Sequence, residues 1–131
     1  MPFNLEIVSP ARLLLSQPAE MVTMPAAEGE MGVLPGHSPM IVLLRAGTVR
    51  IQGGPTLYVS GGFAEVTPDR CTILADDAVP VDELSRADAQ ARLEAARAAF
   101  TAADKMDMTA VDATMAQVQA AEARVAAAGV A

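Results

Sequence analysis

An antiparallel β-sandwich of about ten short strands, continued by a C-terminal antiparallel α-helical hairpin, is the fold class this sequence predicts. Three observations predict it. As far as Pro80, short runs of Val, Ile, Leu and Thr alternate with Gly, Pro, Asn or Asp, the punctuation of strands and turns. Beyond Pro80 neither glycine nor proline recurs until Gly129, and alanine dominates, the residue with the highest helix propensity. The length of 131 residues suits one domain with a small appendage. The division falls between a sandwich over residues 1–82 and a helix-turn-helix over residues 83–131.

Phe3–Val8 opens the sandwich, with Phe3, Leu5 and Ile7 on one face and Asn4 and Glu6 on the other, the period of two that a strand requires. Candidate strands follow at Leu13–Leu15, Glu20–Met24, Gly32–Leu34, Ile41–Leu44, Thr48–Ile51, Thr56–Val59, Gly62–Val66, Arg70–Leu74 and Ala78–Val81. Gln52-Gly53-Gly54-Pro55 and Thr67-Pro68-Asp69-Arg70 read as hairpin turns. Ser85-Arg86-Ala87-Asp88 and Thr109-Ala110-Val111-Asp112 have the Ser/Thr-x-x-acid form that opens a helix. They give helices over Ser85–Ala103 and Thr109–Ala128, joined by a tight Asp104–Met108 connection. Ala89, Leu93, Ala96 and Phe100 share a face of the first helix. Val111, Val118 and Val125 form a stripe on the second, with Ala121 and Ala128 beside it. A buried leucine side chain contributes about 1.5–3 kcal/mol and an alanine methyl nearer 0.8. The hairpin is therefore expected to form readily but to hold lightly to the sandwich, unless it serves simply as a fixed C-terminal cap.

The segment from Glu28 to Pro39 concentrates three glycines, two prolines, two carboxylates and the chain's single histidine. Such a composition is expected to make a shaped loop rather than the middle of a sheet. It would place Glu30 and His37 at the surface on stiff backbone, where loops commonly carry function. An ordinary turn-rich connection fits the same composition.

Composition excludes several classes. The net charge of −7 disfavours nucleic acid, whose phosphates need clustered Lys and Arg, and anionic lipid surfaces. There is no tryptophan, and one tyrosine and three phenylalanines make no base-stacking platform. No apolar run approaches the roughly 20 residues of a membrane helix, so direct lipid insertion is not expected. The N-terminus lacks a signal-peptide pattern, so a cytoplasmic chain is expected. Cys71 is alone and is expected to be buried, and one Cys with one His leaves no zinc site of Cys/His type. Ser38 beside His37 has no nucleophile elbow, and Asp76-Asp77 at a strand end suits solvation or capping better than Mg²⁺. Neither a GxGxxG nor a GKS/T phosphate loop is present. A carrier-domain lysine on a hairpin is absent too, because Lys105, the one lysine, falls in the helical part. No catalytic residue and no cofactor are expected.

The run Gly29-Glu30-Met31-Gly32-Val33-Leu34-Pro35-Gly36-His37-Ser38-Pro39 closely resembles the signature loop of the epsilon subunit family of the bacterial F-type ATP synthase. Val59-Ser60-Gly61-Gly62-Phe63-Ala64-Glu65-Val66, followed by Thr72-Ile73-Leu74-Ala75-Asp76, resembles that family's other marked segment, and Val8-Ser9-Pro10 fits as well. The resemblance implies a non-catalytic rotor subunit of the central stalk, peripheral on the cytoplasmic face of the inner membrane, that couples proton-driven rotation to ATP synthesis. It implies a c-ring interface at Glu28, Glu30, Met31, Gly32 and His37, and a gamma-subunit interface at Val8, Ser9 and Pro10. The hairpin would reach the alpha/beta catalytic subunits and weakly inhibit hydrolysis. Some members bind ATP through an Asp-x-x-Arg-Ala element and several arginines. Here Asp82 and Arg86 are one residue too far apart and the second helix has only Arg124, so at most a weak nucleotide contact at Asp82, Arg86 and Arg124 is expected. An ATP sensor whose hairpin closes on nucleotide and an unrelated β-sandwich adaptor are the alternative readings.

Overall fold

The computed structural model describes residues 2–130, with Gly129 and Val130 as backbone only. Ten strands form one continuous sheet in the order β10-β7-β6-β3-β5-β8-β9-β1-β2, with β4 attached to β3. They are β1 (Phe3–Val8), β2 (Leu13–Ala19), β3 (Val22–Ala26), β4 (Gly29–Val33), β5 (Met40–Leu44), β6 (Gly47–Ile51), β7 (Thr56–Val59), β8 (Gly62–Thr67), β9 (Arg70–Ala75) and β10 (Ala78–Pro80). Neighbours are antiparallel except for the parallel pair β1 and β9.

β3 is where the sheet changes layer. Val22 and Thr23 pair with Ile51 and Arg50 of β6, whereas Ala26 pairs with Leu44 of β5. Pro25, between them, has no N–H to give a ladder, and its carbonyl accepts from the Arg45 N–H at 2.9 Å. The sheet folds over a core containing Phe3, Leu5, Ile7, Met24, Val49 and Ile73. On β1 the expected alternation is present, with Phe3, Leu5 and Ile7 buried. Cys71 is also buried, which pushes its thiol up to about 11 and leaves it almost wholly protonated near neutral pH.

The expected shaped loop over Glu28–Pro39 needs correction in its first half. Gly29–Val33 is a strand that pairs along its whole length with β3, from Ala26 opposite Gly29 to Val22 opposite Val33. Only Ala27 and Glu28 turn the hairpin. The glycines are tolerated because β4 pairs on one side only, where a strand loses least from missing side chains. Pro18 similarly lies within β2, at the end of the path, so that strand runs on past the expected Leu15 to Ala19.

After a single 3₁₀ turn at Val81–Glu83 come α1 (Arg86–Ala102) and α2 (Met108–Val130). Ser85 caps α1 as expected, its Oγ accepting from the Asp88 N–H at 3.2 Å. The Asp88 carboxylate turns instead to Arg92 at 2.8 Å. The expected cap at Thr109 is not the one used. Asp107 Oδ1 accepts from the N–H groups of Thr109 and Ala110 at 3.1 and 3.3 Å, and α2 starts a residue early. Aspartate is the better N-cap of the two. Leu93 and Ala96 meet Val118 and Ala121 between the helices, with Phe100 and Val125 packed alongside. Among the described residues no helix is long and apolar enough to cross a membrane.

Candidate functional site

Strand β5 is apolar on both faces. Val42 and Leu44 point into the core, whereas Ile41 and Leu43 are 71% and 67% exposed. Register carries this outward face across the sheet. Leu43 lies opposite Phe63, Phe63 opposite Leu74, Leu74 beside Val8, and Val8 opposite Leu13. Phe63, Leu74 and Leu13 are exposed as well. The result is an apolar row over β5, β8, β9, β1 and β2, bordered by a more polar row of Ile41, Glu65, Thr72, Glu6 and Ser16. A continuous exposed apolar row with a polar margin is the usual form of a protein-binding surface. The sequence carried a trace of it in the unbroken apolar run Met40–Leu44, which a half-buried strand does not need.

Val8, Ser9 and Pro10 are at one end of this row. The Ser9 and Arg12 backbones bond reciprocally at 2.9 and 3.2 Å and close the turn between β1 and β2. Glu30 and His37, expected on one loop, do not form one cluster. Glu30 projects from β4 and lines a cleft with Gly62 and Phe63, at the start of β8. The segment holding His37 is tied beyond the other end of β8, where the Gly36 N–H donates to the Pro68 carbonyl at 2.8 Å. A six-residue strand separates them by about 17–20 Å. His37 Nδ1 donates to the Ser38 carbonyl at 2.8 Å. Met31 packs partly against the core, Gly32 faces the Met21 side chain, and Glu28 is exposed in the β3–β4 turn.

Glu30 pairs with Arg50, and both side chains are about half exposed. Such pairs contribute roughly 0.2–1 kcal/mol. Glu30→Ala is therefore expected to change unfolding free energy by less than about 1 kcal/mol, as a urea titration would measure. A larger loss would mean that the carboxylate supports the fold.

The hairpin meets the sandwich through a small polar cluster that the sequence did not reveal. Tyr58 is buried, and its hydroxyl donates to the Ala120 carbonyl of α2 at 2.7 Å. Arg124, also buried, places its guanidinium 4.9 Å from the Tyr58 ring centre and donates to Asp77 Oδ2 at 2.9 Å. Val81 and Ala127 complete the packing. Burial pushes the Tyr58 hydroxyl above its ordinary pKa, and the charge and hydrogen bonding of Arg124 partly offset it. Arg124 lines a cleft of about 410 Å³ with Arg92 and Gln117, but Asp82 and Arg86 do not line it. Arg86 Nε reaches the Ala128 carbonyl at 3.4 Å instead. None of the three clefts described is lined by Asp82, Arg86 and Arg124 together. No group of three or more His, Cys, Asp or Glu side chains is arranged to hold a metal among the described residues.

Comparison with known proteins agrees with this architecture. Residues 2–81 match the family model of the ATP synthase Delta/Epsilon chain β-sandwich domain. The ATP synthase epsilon chain of Granulibacter bethesdensis is 59% identical over 129 residues, covering 95% of this chain and 96% of that one. That of Gluconacetobacter diazotrophicus is 44% identical, covering 98% and 94%. Among solved structures, a chain of the Euglena gracilis mitochondrial ATP synthase (OSCP, F1 and c-ring, rotational state 1) aligns with TM-score 0.79 at 28% identity, covering 96% of this chain and 81% of its own. A chain of the Tetrahymena thermophila mitochondrial central stalk and c-ring shares the fold, with TM-score 0.67 at 12% identity over 98% of this chain and 97% of its own. The chain therefore belongs to the family of ATP synthase epsilon chains, central-stalk components of the membrane-associated ATP synthase.

Proposed function

We propose that this chain is a non-catalytic coupling element of the rotor, carried on the cytoplasmic face of the inner membrane. The observation that carries the reading is the outward apolar row Leu43–Phe63–Leu74–Val8–Leu13, exposed except at half-buried Val8, which seats against the gamma subunit. The β3–β4 end, with Glu28, Glu30, Met31 and Gly32, faces the polar loops of the c-ring, and His37 marks the opposite end of β8. Locked to both, the sandwich transmits ring rotation to the stalk. The docked hairpin reaches the alpha/beta subunits only if it leaves the sandwich, and inhibition of hydrolysis is weak. Arg124 is already engaged by Asp77 and Tyr58, which favours coupling over nucleotide sensing. Family membership removes the unrelated adaptor.

Two charges on the apolar row test this. Leu43→Asp with Phe63→Lys is expected to leave the melting temperature of the free chain within a few degrees, because both side chains are exposed and the new charges, opposite each other on the ladder, attract. The variant should be lost from purified ATP synthase, and proton-driven ATP synthesis should fall with it. Retention at the wild-type level would overturn the proposal.

A further inference from the structure

A cleft of about 820 Å³ opens between α2 and the end of the sandwich. Its sandwich wall includes Leu43 and Phe63, two members of the exposed apolar row, so the cleft and the row form one uninterrupted surface. Ala116 lies on the α2 side, where a larger side chain would fill the space. At the rim, Asp76 and Glu122 are exposed and form no ion pair among the described residues. Arg45 is the one basic side chain on the lining, and the third acid there, Glu30, is already paired with Arg50.

These features choose between classes of occupant. The volume lies within the range of about 300–1,000 Å³ seen for formed ligand sites. A small polar ligand, however, needs several convergent donors in an enclosed space, and here the walls are largely apolar and the mouth is wide. A polypeptide segment fits better: apolar side chains enter the cleft while a basic side chain meets two unpaired carboxylates. We infer that this cleft receives a short apolar segment bearing Lys or Arg, contributed by the same stalk polypeptide that covers the apolar row. The inference rests on the proposed seating of that row, since the cleft begins where the row ends. Its role is to fix rotational register, because a flat apolar face resists sliding less than a face with a keyed cleft and a charge contact.

The test uses the assembled ATP synthase. A photo-crosslinking phenylalanine analogue is placed at position 116 in one preparation and at position 63 in another, and the linked peptides are sequenced by mass spectrometry. Position 116 is expected to capture a Lys- or Arg-bearing peptide of the same stalk subunit that position 63 captures. If position 63 captures that subunit while position 116 captures nothing, lipid or a second copy of this chain, the cleft inference falls and the proposed function stands. Failure at position 63 brings down the proposed function and the inference with it. In addition, Asp76→Lys with Glu122→Lys is expected to speed loss of the chain from the complex roughly tenfold. An unchanged rate of loss would overturn the charge contact.

Discussion

Gly62→Ala is expected to destabilise the sandwich by about 2–6 kcal/mol, combining backbone strain and overpacking of about 1–3 each. An alanine Cβ at this position would lie 2.0 Å from the Leu74 carbonyl oxygen and 3.0 Å from the Ala75 Cα. Both obstacles are backbone. Neither can yield, because Gly62 is paired with Leu44 of β5 on one side and Ala75 of β9 on the other, in the middle of the sheet path. The residue also sits at φ +132°, where side-chain-bearing residues are strained. Total stability of such a domain is about 5–15 kcal/mol, so the loss is a large fraction of it and should lower the urea midpoint markedly.

Gly61 supplies the control. Its φ is nearly the same at +131°, but an added Cβ would find its nearest neighbour at 3.6 Å, the Asp76 carboxylate. Gly61→Ala should therefore pay for strain alone, about 1–3 kcal/mol. Urea titrations of both variants measure the difference. Equal losses would show that the close approach to Leu74 is not what requires glycine at position 62.

The two glycines illustrate what was legible in the sequence. Paired glycines before an alternating apolar run mark a special backbone, but their unequal tolerance depends on the neighbouring strand and cannot be read locally. The helical hairpin is legible because alanine content, the Ser85 cap and the Leu93 and Val118 stripes agree on one answer, whereas the Asp107 cap of the second helix is not among the expected ones. Strand β4 was misread because the composition Gly-Glu-Met-Gly weighs against a strand, whereas the decisive factor is non-local pairing with β3. For the site, Val8 and Phe63 stood out only within motifs. Their alignment in one row follows from register across β1, β9 and β8, which is a property of the assembled sheet. The Tyr58–Asp77–Arg124 cluster joins residues 47 positions apart across the ion pair, and no local pattern announces it.

That cluster sets the second large effect. Arg124→Ala is expected to release the hairpin from the sandwich while both remain folded. The remaining contacts are largely alanine methyls, each worth about 0.8 kcal/mol. Loss of the stacked guanidinium alone removes about 0.5–2 kcal/mol, and the ion pair with half-exposed Asp77 adds a smaller amount. Tyr58 reports the outcome, because the chain has one tyrosine and no tryptophan. In the docked state burial raises the tyrosyl pKa, Arg124 lowers it in part, and Asp77 raises it. If Arg124→Ala left the hairpin in place, the hydroxyl would lose its cation and titrate higher still. If the hairpin leaves, the ring meets water and titrates near its ordinary value of about 10. The two outcomes move ultraviolet titration in opposite directions, and a downward shift with unchanged helical circular dichroism is the expected one.

The same reasoning fixes the pH dependence of docking in the unmodified chain. A raised tyrosyl pKa means that the protonated form is favoured when docked. Its stabilisation is fully present below about pH 10 and is lost as pH rises through the elevated value. Alkali should therefore loosen the hairpin as pH rises above about 10, while the buried Cys71 thiol, pushed up to about 11, costs the sandwich stability over an overlapping range. Tyr58→Phe removes the titrating group and should abolish the Tyr58-linked alkaline loosening. A hairpin that loosened in alkali to the same extent in this variant would mean that Tyr58 does not control the docked state.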